Sequence, residues 1–380
     1  MADSETAGRT TIETPDLVKG LFDPEFRHEL NNNIEEYGSK DAKERKVLQS
    51  LEDQTFRLQS SEDQKRVRPY HLNRLLEASG IDLPFDQRIQ TGSSVELIHM
   101  WTKYLDDNQD NDDVRNGEKA PHALMRDVLD DNETADWIAT NHILDLKSRA
   151  YRPIKDLDEA YVDASTKLDL LEILWEAEED LAVGQNLDLL GRRIARENGL
   201  EDELTYNGGD FDLMDYNFET NDRKTAALFR ANGQIVEELM EDYEGKALTE
   251  YGNLAGQAFQ MWDDALDFER GRLSDLEESN YNVPITIAQR YLETHPEEEK
   301  NELGDYLSEV MSSENPHYKE VEKADRIIRE ETPAIEASRN LSQHLTEQAN
   351  EYLDEIEWEN YGKIEEVKEM TAYMGYERSK

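Results

Sequence analysis

Apolar residues along this chain recur three and four positions apart almost throughout, the spacing of one face of a helix. The clearest stretch is 256–267, Gly-Gln-Ala-Phe-Gln-Met-Trp-Asp-Asp-Ala-Leu-Asp. Ala255, Phe259, Trp262 and Leu266 make an apolar stripe there, and Gly256, Gln260, Asp263 and Asp267 make the neighbouring polar one, with Asp264 just off it. Further helical patterns cover Asp16 to about Gln59, 91–105, 120–131, 134–150, 156–181, 185–198 and 224–243. Gly271 ends the helix of the central stretch, Pro284 opens the next, and residues 284–377 alternate helix with short polar breaks. Asn221 and Asp222 predict the cap of a helix that begins at Lys224. Residues 60–64, 111–117 and 201–218 lose the period and predict loops. No strand-like alternation occurs, so the expected fold is all-α, one large helical domain over 15–380 behind a flexible N-terminus at 1–14.

Composition changes this picture in three ways. There are 88 acidic against 42 basic residues, a formal charge of −46, spread along the whole length. Such self-repulsion weakens a compact state unless salt screens it, and the Debye length falls to about 3 Å at 1 M salt. The expectation is a salt-rich cytoplasm, as in halophiles, with nucleic acid and anionic membranes disfavoured as partners. The absence of cysteine excludes disulfides and thiolate metal sites. No apolar run reaches the length of about 18 residues that marks a transmembrane helix, which predicts a soluble, cytoplasmic protein.

The polar stripe of 256–267 brings a glutamine and up to three carboxylates to one place. Carboxylates a turn apart repel, and a hard cation such as Mg²⁺ relieves this while keeping waters for bridging to phosphate. Acidic strings recur by chance in so acidic a chain, but this one has a second copy. Asp106, Asp107 and Asp110 repeat the spacing, and His99, Lys103, Asp106 and Asp110 run down one helical face. Two such faces opposed across a cavity would hold Mg²⁺ and clamp a diphosphate. Lys65, Arg66 and Arg68 put three bases in four residues, a group suited to a second diphosphate.

At these motifs the chain resembles the trans-isoprenyl diphosphate synthases, or polyprenyl synthetases, and in type a halophilic archaeal geranylgeranyl diphosphate synthase. The resemblance spans 65–284: Lys65-Arg66-Val-Arg68-Pro69, then Glu96 to His99 with Asp106-Asp107-x-x-Asp110, Arg115 and Gly117. Gly184-Gln185-x-x-Asp188, Lys224-Thr225, and Gly256 to Gln260 with Asp263-Asp264-x-x-Asp267 follow in the family's order. It implies helices around a central cavity, the isoprenoid synthase fold, and a homodimer. It implies Mg²⁺ held by Asp106, Asp107, Asp110, Asp263 and Asp267, with Asp264 and Lys224 also in the catalytic set. Lys65, Arg68 and His99 would hold the diphosphate of isopentenyl diphosphate. Arg115 and Lys224 would hold the allylic diphosphate, and Thr225 and Gln260 are also among the substrate-binding residues. Trp101 and Thr102, five and four places before Asp106, would floor the product pocket, giving a medium chain, geranylgeranyl (C20) before farnesyl (C15) or geranylfarnesyl (C25).

The chain departs from the family pattern at four places. Asp63 and Gln64 replace paired glycines, Asn116 replaces a second arginine, and Ser279-Asn280 replaces a Gly-Lys pair. The loop after Asp267 is shorter, leaving Arg270 or Arg272 to replace its lysine. Two other functions therefore stay open beside the elongase: a non-catalytic partner subunit of a prenyl synthase, and a class I terpene cyclase.

Overall fold

A computed structural model describes residues 23–38, 66–115, 117–194, 196–197, 200, 204, 211–240, 243–295 and 298–378. The expected loose segment 1–14, most of the helical patterns before 59 and Lys65 lie outside these residues. The described chain is helical, in the order α1 (Pro24–Gly38), α2 (Val67–Ala78), α3 (Phe85–Asp110), α4 (Pro121–Val128), α5 (Asn132–Arg149), α6 (Arg152–Lys155) and α7 (Ala164–Gly191). There follow α8 (Leu213–Asn221), α9 (Ala227–Leu239), α10 (Ala247–Arg270), α11 (Ser274–Glu278), α12 (Val283–Thr294), α13 (Glu298–Ser312), α14 (Tyr318–Arg326), α15 (Ala334–Asp354) and α16 (Tyr361–Ala372). A single two-residue hairpin, Val114–Arg115 against Glu118–Lys119, interrupts them. No described helix is long and apolar enough to cross a membrane.

Side-chain caps start the helices where short acceptors stand before the apolar period. Asp163 accepts from the amides of Ser165 and Thr166 at α7, Asp212 from Met214 at α8, and Asn282 from Ile285 at α12. Gly271, at φ 68°, ends α10 as expected. The main core joins α2, α3, α9 and α10 through Leu72, Leu75, Leu97, Met100, Tyr104, Phe229, Val236, Leu248 and Tyr251. A second cluster under α12, α13 and α14 holds Leu276, Ile285, Leu292, Leu307, Val321 and Ile328.

Several boundaries differ from the sequence expectation: α3 starts at Phe85, before the pattern at 91, and the expected loop at 111–117 carries one strand of the hairpin. The patterns at 156–181 and 185–198 form one helix ending at Gly191, because nothing at 182–184 breaks it. The expected loop at 201–218 contains the start of α8. The expected cap at Asn221 and Asp222 is instead helix interior: Asp212 caps, and the turn Asp222–Ala226 is π-helical before α9 continues. This wider turn carries Lys224 and Thr225. Two glycines let neighbouring helices press on it. A Cβ on Gly184 would stand 2.4 Å from the Lys224 amide nitrogen, and one on Gly256 2.5 Å from the Ala226 Cα.

Candidate active site

Helices α3 and α10 carry the two acid stripes, and both reach one cavity of about 760 Å³. Asp106 enters it from α3, and Gln260, Asp263 and Asp267 from α10. A smaller adjoining pocket of about 210 Å³ takes Asp110, Asp188, Asp264, Asp275 and Glu278. Asp106, Lys224, Thr225, Gln260 and Asp267 line both spaces. Thr225 donates to Gln260 Oε1 at 2.7 Å, and Gln260 Nε2 donates to Asp264 Oδ1 at 2.7 Å, so the π-helical turn is tied to α10.

Cations of the chain partly balance these acids. Lys224 Nζ bridges Asp106 at 3.0 Å and Asp188 at 2.9 Å. Burial opposes the charge of Lys224, but Asp188 and Asp106 outweigh it and raise the ammonium pKa. Arg192 bridges Asp110 at 2.6 Å, Asp188 at 3.0 Å and Glu278 at 2.9 Å. Arg378, near the end of the chain, reaches Asp263 at 2.7 Å, and its carbonyl accepts from Trp262 Nε1 at 2.9 Å. Gln185 donates to Asp106 at 2.8 Å.

The acids of the smaller pocket remain short of positive charge. Burial raises the pKa of Asp110, Asp264 and Asp267, and neighbouring aspartates add to it at each. Burial also pushes Asp275 up to about 6 and Glu278 up to about 7. Such a donor set, all oxygen and over-charged, suits a hard divalent cation. Among the described residues no three acids gather closely enough to chelate an ion by themselves. A metal held here would therefore be completed by ligand phosphate oxygens and water, the habit of Mg²⁺.

Basic groups line the same cavity. Arg68 Nη1 donates to His99 Nε2 at 2.9 Å, and its guanidinium lies 5.2 Å from the Phe229 ring centroid. Burial holds Arg68 down to about 10 and His99 down to about 3, so the imidazole is neutral at pH 7. Behind them Arg66, at φ 50°, forms a buried ion pair with Glu96 at 2.7 Å. The Arg68 carbonyl accepts from Asn232 Nδ2 at 2.9 Å, and Asn232 continues through His71 to Tyr251 on α10.

The structure gathers most of the expected site. Arg68, His99, Trp101, Thr102, Asp106, Arg115, Lys224, Thr225, Gln260, Asp263 and Asp267 share the large cavity, while Asp110 and Asp264 line the adjoining pocket. Asp107 is placed differently from the other aspartates of the expected metal set. Its side chain is fully buried and its two oxygens face Arg115, with both Nε contacts at 2.7 Å. One residue further along a helix turns the side chain about 100°, which here aims it away from both spaces. Asp107 thus holds Arg115 at the hairpin. Ser279, where the family pattern has glycine, keeps the left-handed backbone at φ 61°, and Asn280 donates to Asp188 at 3.3 Å. The sequence reading missed Arg192 and Arg378. Arg192 follows Asp188 by one helical turn, a signal open to inspection; nothing local marks Arg378.

The fold and site define a helical protein in which two aspartate-bearing helices line one cavity together with several basic residues. Comparisons with known proteins agree. The polyprenyl synthetase family profile matches residues 50–327, and the chain belongs to that family. It is 27% identical to the short chain isoprenyl diphosphate synthase of Methanocaldococcus jannaschii, over 84% of this chain and 85% of that protein. It is 28% identical to the geranylfarnesyl diphosphate synthase of Natronomonas pharaonis, over 69% of this chain and 67% of that protein. The fold matches geranylgeranyl pyrophosphate synthase from Corynebacterium glutamicum, solved with isoprenyl diphosphate and magnesium, at a TM-score of 0.75 and 17% identity. That match covers 96% of this chain and 100% of the other.

Proposed function

We propose that this prenyltransferase-family protein condenses isopentenyl diphosphate with an allylic diphosphate and releases a medium-chain product, geranylgeranyl diphosphate. The observation that carries the reading is that one cavity is lined both by acids, Asp106, Asp263 and Asp267, and by cations, Arg68, Arg115 and Lys224, with His99 beside Arg68. Two diphosphates need both kinds of lining. A terpene cyclase needs only the first. Mg²⁺ between Asp106, Asp110, Asp263 and Asp267 would supply Lewis-acid charge for the departing diphosphate. Lys224 and Arg115 hold the allylic diphosphate while its C–O bond breaks, the electron pair leaving with the diphosphate. Arg68 and His99 hold isopentenyl diphosphate so that its double bond attacks the allylic cation, forming the new C–C bond, and the released diphosphate then takes a proton from the condensed cation. No nucleophilic side chain takes part.

The hydrocarbon grows toward Trp101, which lines the cavity and is 5% exposed. The reading includes a homodimer, supported by exposed apolar residues on α5 and α7. Leu168, Trp175, Val183 and Leu190 repeat every two turns along α7, and Trp137 and Leu144 do so on α5. Stable association through this face would lower the apolar area exposed to water. It also includes a salt-rich cytoplasm as the working environment, from the net charge of −46.

The deciding experiment supplies purified protein in molar KCl with Mg²⁺, isopentenyl diphosphate and dimethylallyl, geranyl or farnesyl diphosphate in turn. Longer allylic diphosphates are expected, ending at C20. No elongated product from any pair would reject the elongase and favour a partner subunit.

A further inference from the structure

Lys103 is a cavity cation with no task in the reading above. It lies on α3 one turn after His99 and about one turn before Asp107. It lines the large cavity with Arg66, Arg68, His99 and Arg115. The acids beside it on α3 are already taken, Glu96 by Arg66 at 2.7 Å and Asp107 by Arg115. No carboxylate of the described residues forms an ion pair with Lys103 itself. Burial, with Arg115 nearby, holds its ammonium down to about 8, and burial likewise holds Arg68 down to about 10. A lysine that served only to pack would send its ammonium to open water. Here several cations face one cavity with too little negative charge between them, the arrangement of a site that waits for an anion.

We propose that Lys103 is a diphosphate-binding residue, its ammonium donating to the diphosphate of the isopentenyl substrate beside Arg68 and His99. This rests on the condensing activity proposed above. The choice between the two diphosphates follows from its neighbours. Lys103 stands one helical turn after His99, which accepts from Arg68, whereas Lys224 and Gln185 are bonded to Asp106.

Lys103→Leu keeps the volume and helix propensity and removes the charge; Lys103→Arg keeps the charge. In the full chain, Lys103→Leu should raise the KM for isopentenyl diphosphate roughly tenfold to a hundredfold, the scale of one charge-assisted hydrogen bond. The KM for the allylic substrate should move less than about twofold, and Lys103→Arg should recover most of the loss. Calorimetry with inorganic pyrophosphate and no metal gives a readout apart from turnover, since the acids repel the anion and the cations alone attract it. Lys103→Leu should weaken that binding by a similar factor. Should Lys103→Leu not fold, Lys103→Gln carries the same comparison. An unchanged pyrophosphate affinity, or a KM effect on the allylic substrate alone, would overturn the assignment. If the wild-type protein makes no product, the condensing activity fails, and the pyrophosphate titration still decides whether Lys103 binds diphosphate.

Discussion

Replacing Trp101 by alanine tests where the product stops growing. Trp101 stands five residues before Asp106 on α3, which is roughly 7.5 Å deeper at 1.5 Å per residue. An ion pair lies against its indole. Lys147 Nζ lies 5.0 Å from the ring centroid and pairs with Glu178 at 2.9 Å, and Glu178 also accepts from the Tyr151 hydroxyl. Removing the indole costs about 3–5 kcal/mol of stability if the void stays empty. One more isoprene unit, five carbons at about 0.8 kcal/mol each, returns roughly 4 kcal/mol by filling it. A second unit would have to displace or cover the Lys147–Glu178 pair, and stripping water from a charge costs several kcal/mol per ion. Trp101→Ala should therefore move the main product from C20 to C25, and Trp101→Ala with Lys147→Met should release longer chains. The assay is chain length by mass spectrometry after phosphatase treatment, with isopentenyl diphosphate in excess. An unchanged product in the single variant would remove Trp101 from the pocket floor. An open ladder of lengths from that variant alone would refute the ion pair as the second barrier.

Three further outcomes are expected. Asp106→Ala and Asp263→Asn should each reduce turnover by several orders of magnitude with little change in melting temperature, the asparagine keeping an acceptor for Arg378; near wild-type rates in either would withdraw that aspartate from the metal set. Arg68→Ala should raise the KM for isopentenyl diphosphate by roughly tenfold to a hundredfold through lost charge-assisted bonds, and an equal effect on both substrates would argue against two separate diphosphate sites. Activity and thermal stability should both rise from dilute buffer to molar KCl as the charge of −46 is screened, and a flat thermal response would contradict salt adaptation.

The legible parts of this protein were those set by helical period alone. The acid stripes at Asp106 and Asp263, the apolar stripe of Phe259 and Trp262 and the stop at Gly271 all express local geometry, and the described structure bears out the helices that carry them. A helix with a 3.6-residue period places its side chains without reference to the rest of the chain. Which face then meets the cavity is a packing outcome. Asp107 shares a motif with Asp106, yet it is buried against Arg115 while Asp106 faces Lys224. Arg378 lies 115 residues beyond Asp263, and Lys147 lies far along the chain from Trp101, so no local spacing pairs them. The sequence by itself determined the helices, the two carboxylate stripes and the excess of acid. Only the tertiary structure decided which carboxylates face the cavity and which cations balance them, because charges pair by distance in space and not by position along the chain.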